Sequence, residues 1–121
     1  MELEKLPYNL TICKVAQMKD IDLAQDICFI ARTDEEISLV CRTEAAPLHT
    51  LERDDGWRGY RVKGPLDFSL VGILSRISGI LADNGISVFA VSTYNTDYIL
   101  VRADDFERAG HALISAGYSI H

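Results

Sequence analysis

Residues 86–103 read ISVFAVSTYNTDYILVRA: two β-rich runs, 86–93 and 98–103, on either side of a polar corner of Tyr94, Asn95, Thr96 and Asp97. Runs of β-branched and aromatic residues broken by a short polar segment are the pattern of a β-hairpin. A turn needs only residues that tolerate bending, and Asn95 alone supplies that. A hydroxyl, a phenol, an amide and a carboxylate gathered there exceed the local requirement, so the corner is a candidate binding site. The competing reading is structural, since Ser, Thr, Asn and Asp are ordinary turn residues.

Outward on the C-terminal side, Asp104 with Glu107 resembles a capping arrangement, Phe106, Ala109, Leu113 and Ala116 share a helix face, and Gly117 can close the helix. Residues 118–121 supply a last strand. On the N-terminal side, Leu70, Ile73, Leu74, Ile77, Ile80 and Leu81 recur at three-and-four spacing, which predicts an amphipathic helix with Ser69 as N-cap and Gly85 just past its end. Before it, Tyr60 and Val62 lie in a strand ended by Gly64 and Pro65. Residues 60–121 thus read β-α-β-β-α-β, the split βαβ arrangement with two helices on one face of an antiparallel sheet.

The first half reads as a fainter copy. Residues 9–15 form a strand, 17–26 a short helix, 27–32 and 37–42 a hairpin about Thr33 to Glu36, and the stretch through ERDDGWRG a helical turn followed by a loop. An offset of 60 residues carries Phe29 to Phe89, Thr33 to Thr93 and Arg42 to Arg102, strand for strand. The expected fold class is therefore α+β, with ferredoxin-like βαββαβ units in tandem over 1–59 and 60–121 and the helices of the first unit degraded.

Composition narrows the function. The chain has 121 residues, 48% hydrophobic and 25% charged, with a net charge of −6, a field that repels phosphate backbones and argues against nucleic acid as a partner. There is no secretory leader pattern and no apolar run of bilayer length, which predicts a cytoplasmic protein with no membrane partner. Three cysteines without a CxxC pair read as buried free thiols, although Cys28 and Cys41 would face each other across the first hairpin. His49, His111 and His121 are scattered, with neither metal-ligand spacing nor a nucleophile signature, and no phosphate-binding glycine loop is present. No catalytic residue, metal or cofactor is expected, and the chain reads as a non-enzyme.

Three motifs, GPLDFSLVGIL, NGISVFAVSTYNTDYILV and the closing helix with its acidic start and terminal Gly, span residues 64–120. Over that range the chain closely resembles the ACT domain, in the tandem variety related to aspartokinase regulatory domains and CASTOR-type amino-acid sensors. Over residues 3–59 the resemblance rests on TDEEISLVC and GWRGYRV. It implies paired ACT units, a homodimer, and a regulatory module that senses a small ligand, most often an amino acid, at a seam between units. Carried onto this sequence, the ligand site comprises Gly64, Pro65, Leu66, Asp67, Phe68, Ser69, Gly72, Thr93, Tyr94, Asn95, Thr96 and Asp97. A helix start after Gly64–Ser69 would hold the carboxylate, Gly72 would keep its approach open, and Asp97 would hold the ammonium or a basic side chain. The arginine sensors have an aromatic where this chain has Thr96, so a cationic side chain would lose one wall. The alternative is a protein-interaction or structural module without a small ligand, for which Trp57, Tyr60 and Phe68 could form an apolar patch. In either case regulation would reach a separate, unidentified protein.

Overall fold

The computed structural model describes residues 1–63 and 72–121, in the order β1 (Glu2–Lys5), β2 (Leu10–Val15), a 3-10 turn (Met18–Asp20), β3 (Cys28–Arg32), β4 (Ile37–Arg42), a 3-10 turn (Thr43–Ala45), β5 (Glu52–Val62), α1 (Ile73–Asp83), β6 (Phe89–Ser92), β7 (Asp97–Arg102), a 3-10 turn (Ala103–Asp105), α2 (Phe106–Ser115) and β8 (Ser119–Ile120). The chain divides into two compact units, Tyr8–Trp57, and Met1–Pro7 with Arg58–His121.

In Tyr8–Trp57 the strand order is β3-β4-β2-β5, with β2 antiparallel to both its neighbours. Cys13, Val15, Ile21, Leu39 and Cys41 form its core. The helix expected over 17–26 is only the turn Met18–Asp20, because the Asp22 carboxylate accepts from the Ala24 N–H at 2.9 Å and folds the backbone into a local turn. The loop expected through ERDDGWRG is instead strand β5. Its turn-forming residues make a bulge. Gly56 has φ 85°, and the register passes from Leu10↔Trp57 to Ile12↔Asp54, so that Thr11 faces two residues. The buried Thr11 hydroxyl donates to Asp55 at 2.5 Å and Arg53 Nε donates at 3.0 Å, which together hold the Asp55 carboxyl below its ordinary range.

The other unit has the order β6-β7-β5-β1-β8, with β1 antiparallel to β5 and parallel to β8. Strand β1 is the main departure from the sequence reading, which divides the chain at 59/60 and leaves residues 1–7 with the first half. Glu2, Glu4 and Lys5 hide a strand whose one core residue, Leu3, packs with Tyr60 and Val62. Both helices lie on this unit's core, through Ile77 and Leu81 of α1 and Phe106, Ala109 and Leu113 of α2. The Tyr60 phenol donates to the Phe106 carbonyl at 2.6 Å, and the two rings stack with centroids 4.6 Å apart.

Both helices end in a Schellman motif. The Ile86 and Tyr118 N–H groups reach back to the Leu81 and Leu113 carbonyls at 2.9 and 3.1 Å, with Gly85 (φ 70°) and Gly117 (φ 103°) at the left-handed position. The starts differ from expectation. Ser69 and Leu70 lie outside the described residues, and Gly72 occupies the N-cap of α1. Asp105, not Asp104, is the N-cap of α2, and its carboxylate pairs with Arg108 at 3.0 Å instead of capping the backbone. Ala116 follows the last helical residue and is exposed. The two hairpins keep the same register at an offset of 60, Phe29↔Val40 in one and Phe89↔Leu100 in the other. Among the described residues, no helix is long and apolar enough to cross a membrane.

Candidate functional site

The corner Thr93–Asp97 is built by its own hydrogen bonds. The Thr93 N–H and hydroxyl both donate to the Thr96 carbonyl at 2.8 Å, and the Thr96 N–H donates to Thr93 Oγ1 at 3.3 Å. Thr33 closes the first hairpin in the same way, its N–H on the Glu36 carbonyl at 2.9 Å and its Oγ1 accepting from the Glu36 N–H at 3.2 Å. Thr96 goes further. It is 7% exposed, and its hydroxyl donates to the Val62 carbonyl at 2.6 Å. A threonine here is thus a clamp between the hairpin tip and the end of β5, and the hydroxyls of Thr93 and Thr96 hold the corner together.

Tyr94 and Asn95 are exposed at the tip, and Asp97, opposite Ser92 in the ladder, is half-buried. Among the described residues its carboxylate makes no hydrogen bond or ion pair. Gly64, Pro65, Leu66, Asp67, Phe68 and Ser69 lie outside the described residues, following directly on the segment that Thr96 clamps. Lys63 N–H donates to the Glu2 carbonyl at 2.9 Å, so the end of β5 lies beside the start of β1.

The same end of the unit holds the start of α1. Gly72 has φ 79° and no side-chain cap, and the first N–H groups of a helix have no partner within it. Its positive φ, more than an uncluttered approach, is what calls for glycine, since a Cβ there would meet nothing within 4 Å. Gly72 borders a cleft of about 180 Å³ with Met1, Arg76, Gly117 and Tyr118. Arg76 is not among the site residues expected from the sequence. The available signal was its place four residues after Gly72, on the turn where a helix N-terminus and a guanidinium reinforce each other toward an anion.

Nearby groups are already engaged. Arg61 donates through Nε to the Tyr98 phenol at 3.0 Å and through Nη1 to Glu4 at 2.8 Å. Burial pushes the Tyr60 phenol up to about 12, which keeps it a protonated donor. His49, His111 and His121 are all exposed, and no group of three or more His, Cys, Asp or Glu among the described residues is arranged to hold a metal. Trp57 is 7% and Tyr60 0% exposed, so neither contributes to the apolar surface patch the interaction reading requires, and Phe68 lies outside the described residues.

Comparison with known proteins agrees with this architecture. The family described as ACT domain matches residues 52–115. A 50-residue stretch is 44% identical to the mouse protein "Cytosolic arginine sensor for mTORC1 subunit 1", covering 40% of this chain and 15% of that sensor. The chain therefore spans a small part of the curated relative it matches. Among solved structures, a protein from Agobacterium tumefaciens superposes with a TM-score of 0.87 at 32% identity, over 99% of this chain and 91% of that one. An aspartate kinase from Clostridium acetobutylicum, at a TM-score of 0.65 and 14% identity over 94% of this chain and 33% of that one, shares the fold.

Proposed function

We propose, from the premise that this chain belongs to the ACT domain family, that it is a non-catalytic regulatory module that binds an amino acid at the end of the Met1–Pro7 and Arg58–His121 unit. The observation that carries this reading is the Thr96–Val62 clamp. It fixes a half-buried carboxylate, Asp97, beside the strand end from which the chain leads to an uncapped helix start and Arg76. A zwitterion presents a carboxylate and an ammonium a few bonds apart, and a site that displaces its water must offer donors to one and an acceptor to the other. The α1 N-terminus with Arg76 suits the first, and Asp97 suits the second. Residues 64–69, next in sequence after that strand end, belong to the proposed site through the family resemblance. The ligand would act on a separate protein through the module, which we expect to be a cytoplasmic homodimer.

Calorimetry with the amino acid that most raises the melting temperature tests this. Asp97→Asn keeps the corner's size and removes its charge, so binding should weaken by about 1.5–3 kcal/mol, the range for hydrogen bonds to charged groups. Equal affinities in wild type and variant would remove Asp97 from the site.

A further inference from the structure

The three cysteines of the Tyr8–Trp57 unit share one face of its sheet. Cys28 stands opposite Cys41 across β3 and β4, and Cys13 on β2 stands opposite Leu39, two residues from Cys41. Their separations differ in kind. The Thr33 N–H to Glu36 carbonyl bond closes the hairpin, and hydrogen-bonded and non-bonded pairs alternate from there, so the fifth pair along, Cys28↔Cys41, is non-bonded. In such pairs the Cα atoms are about 4.5 Å apart, within the range of about 4.4–6.8 Å that a disulfide spans. Cys13 is a diagonal neighbour of Cys41, because Thr11 takes the directly opposite place, and diagonal separations are about 7–8 Å. All three thiols are free.

The geometry points to Cys28 and Cys41 as a reversible oxidation site, which hydrogen peroxide converts to a cross-strand disulfide stapling β3 to β4. Cys28 is the entry point, half-buried on a strand that ends the unit's sheet, whereas Cys41 is 0% exposed. The Cys28 sulfur attacks the peroxide. An S–O bond forms, the O–O bond breaks, and the departing hydroxide leaves as water with the thiol proton. The Cys41 sulfur then attacks Cys28. The S–S bond forms, the S–O bond breaks, and the second hydroxide leaves as water with the Cys41 proton. Two thiols lose two electrons and one peroxide gains them. Burial pushes the Cys41 thiol up to about 11, so it does not itself react with the peroxide, and its proton must leave as the S–S bond forms.

Trypsin separates the cysteines, placing Cys13 in peptide 6–14, Cys28 in 20–32 and Cys41 in 33–42. The folded 121-residue chain treated with hydrogen peroxide should fall from three titratable thiols to one. Peptides 20–32 and 33–42 should then be joined within a single chain, the melting temperature should rise, and dithiothreitol should reverse all three changes. The Cys28→Ser variant, at a half-buried position, should keep both its remaining thiols, and Cys13→Ser should still form the link. An unchanged thiol count, a link to peptide 6–14, bonds only between chains, or thiol loss in Cys28→Ser would each overturn the assignment.

Discussion

Thr96 and Gly110 show how much of this fold rests on single side chains. The Thr96 hydroxyl is the buried bond between the hairpin tip and β5, so Thr96→Val, equal in shape, leaves the Val62 carbonyl without that donor. Urea denaturation should show a loss of about 1–3 kcal/mol, the desolvation cost of such a group. At Gly110 a Cβ would stand 2.9 Å from the Tyr60 phenol oxygen, which is fixed by its bond to the Phe106 carbonyl. Gly110→Ala should therefore destabilise by roughly 1–3 kcal/mol, overriding alanine's advantage in helices. Adding Tyr60→Phe removes the clashing oxygen and leaves the next ring atom at 3.9 Å, so in the double variant the alanine should cost little. The sequence marked the corner for its polar density but could not say which polar groups face inward. Thr93 and Thr96 hold the corner together, and Asp97 is the half-buried carboxylate on which the proposed site rests.

At the scale of elements, what was legible followed from local rules. Three-and-four spacing located both helices, and Gly85 and Gly117 gave their ends, because only a left-handed residue lets the next N–H reach back to the last turn. Replacing either glycine with alanine should cost about 1–2 kcal/mol, the penalty for a side chain at that φ, read as a lower midpoint of thermal unfolding. What was illegible depended on distant partners. ELEK is a strand because β5 and β8 flank it, and nothing local announces that. ERDDGWRG reads as loop by composition, yet a bulge at Gly56 absorbs its turn residues and the strand continues. The start of α2 was misplaced because Asp104 and Asp105 compete for one role and tertiary contacts decide between them.

For the whole molecule, among the described residues the strands paired on one side only are β3 in one unit and β6 and β8 in the other. Unpaired backbone groups favour association through such edges, and light scattering should return twice the mass of one chain across a wide concentration range. A constant single-chain mass would remove the homodimer from the account. The central claim is that the corner and the α1 start form an amino-acid site, and it is most directly tested by the melting temperature in the presence of each of the twenty amino acids in turn. A ligand at 100 times its dissociation constant stabilises by about 2.7 kcal/mol, which for a chain of this size is a shift on the order of 10 °C. At least one amino acid should give such a shift, and in Asp97→Asn, at the same ligand concentration, it should fall to about half or less; no shift with any of the twenty would rule the site out.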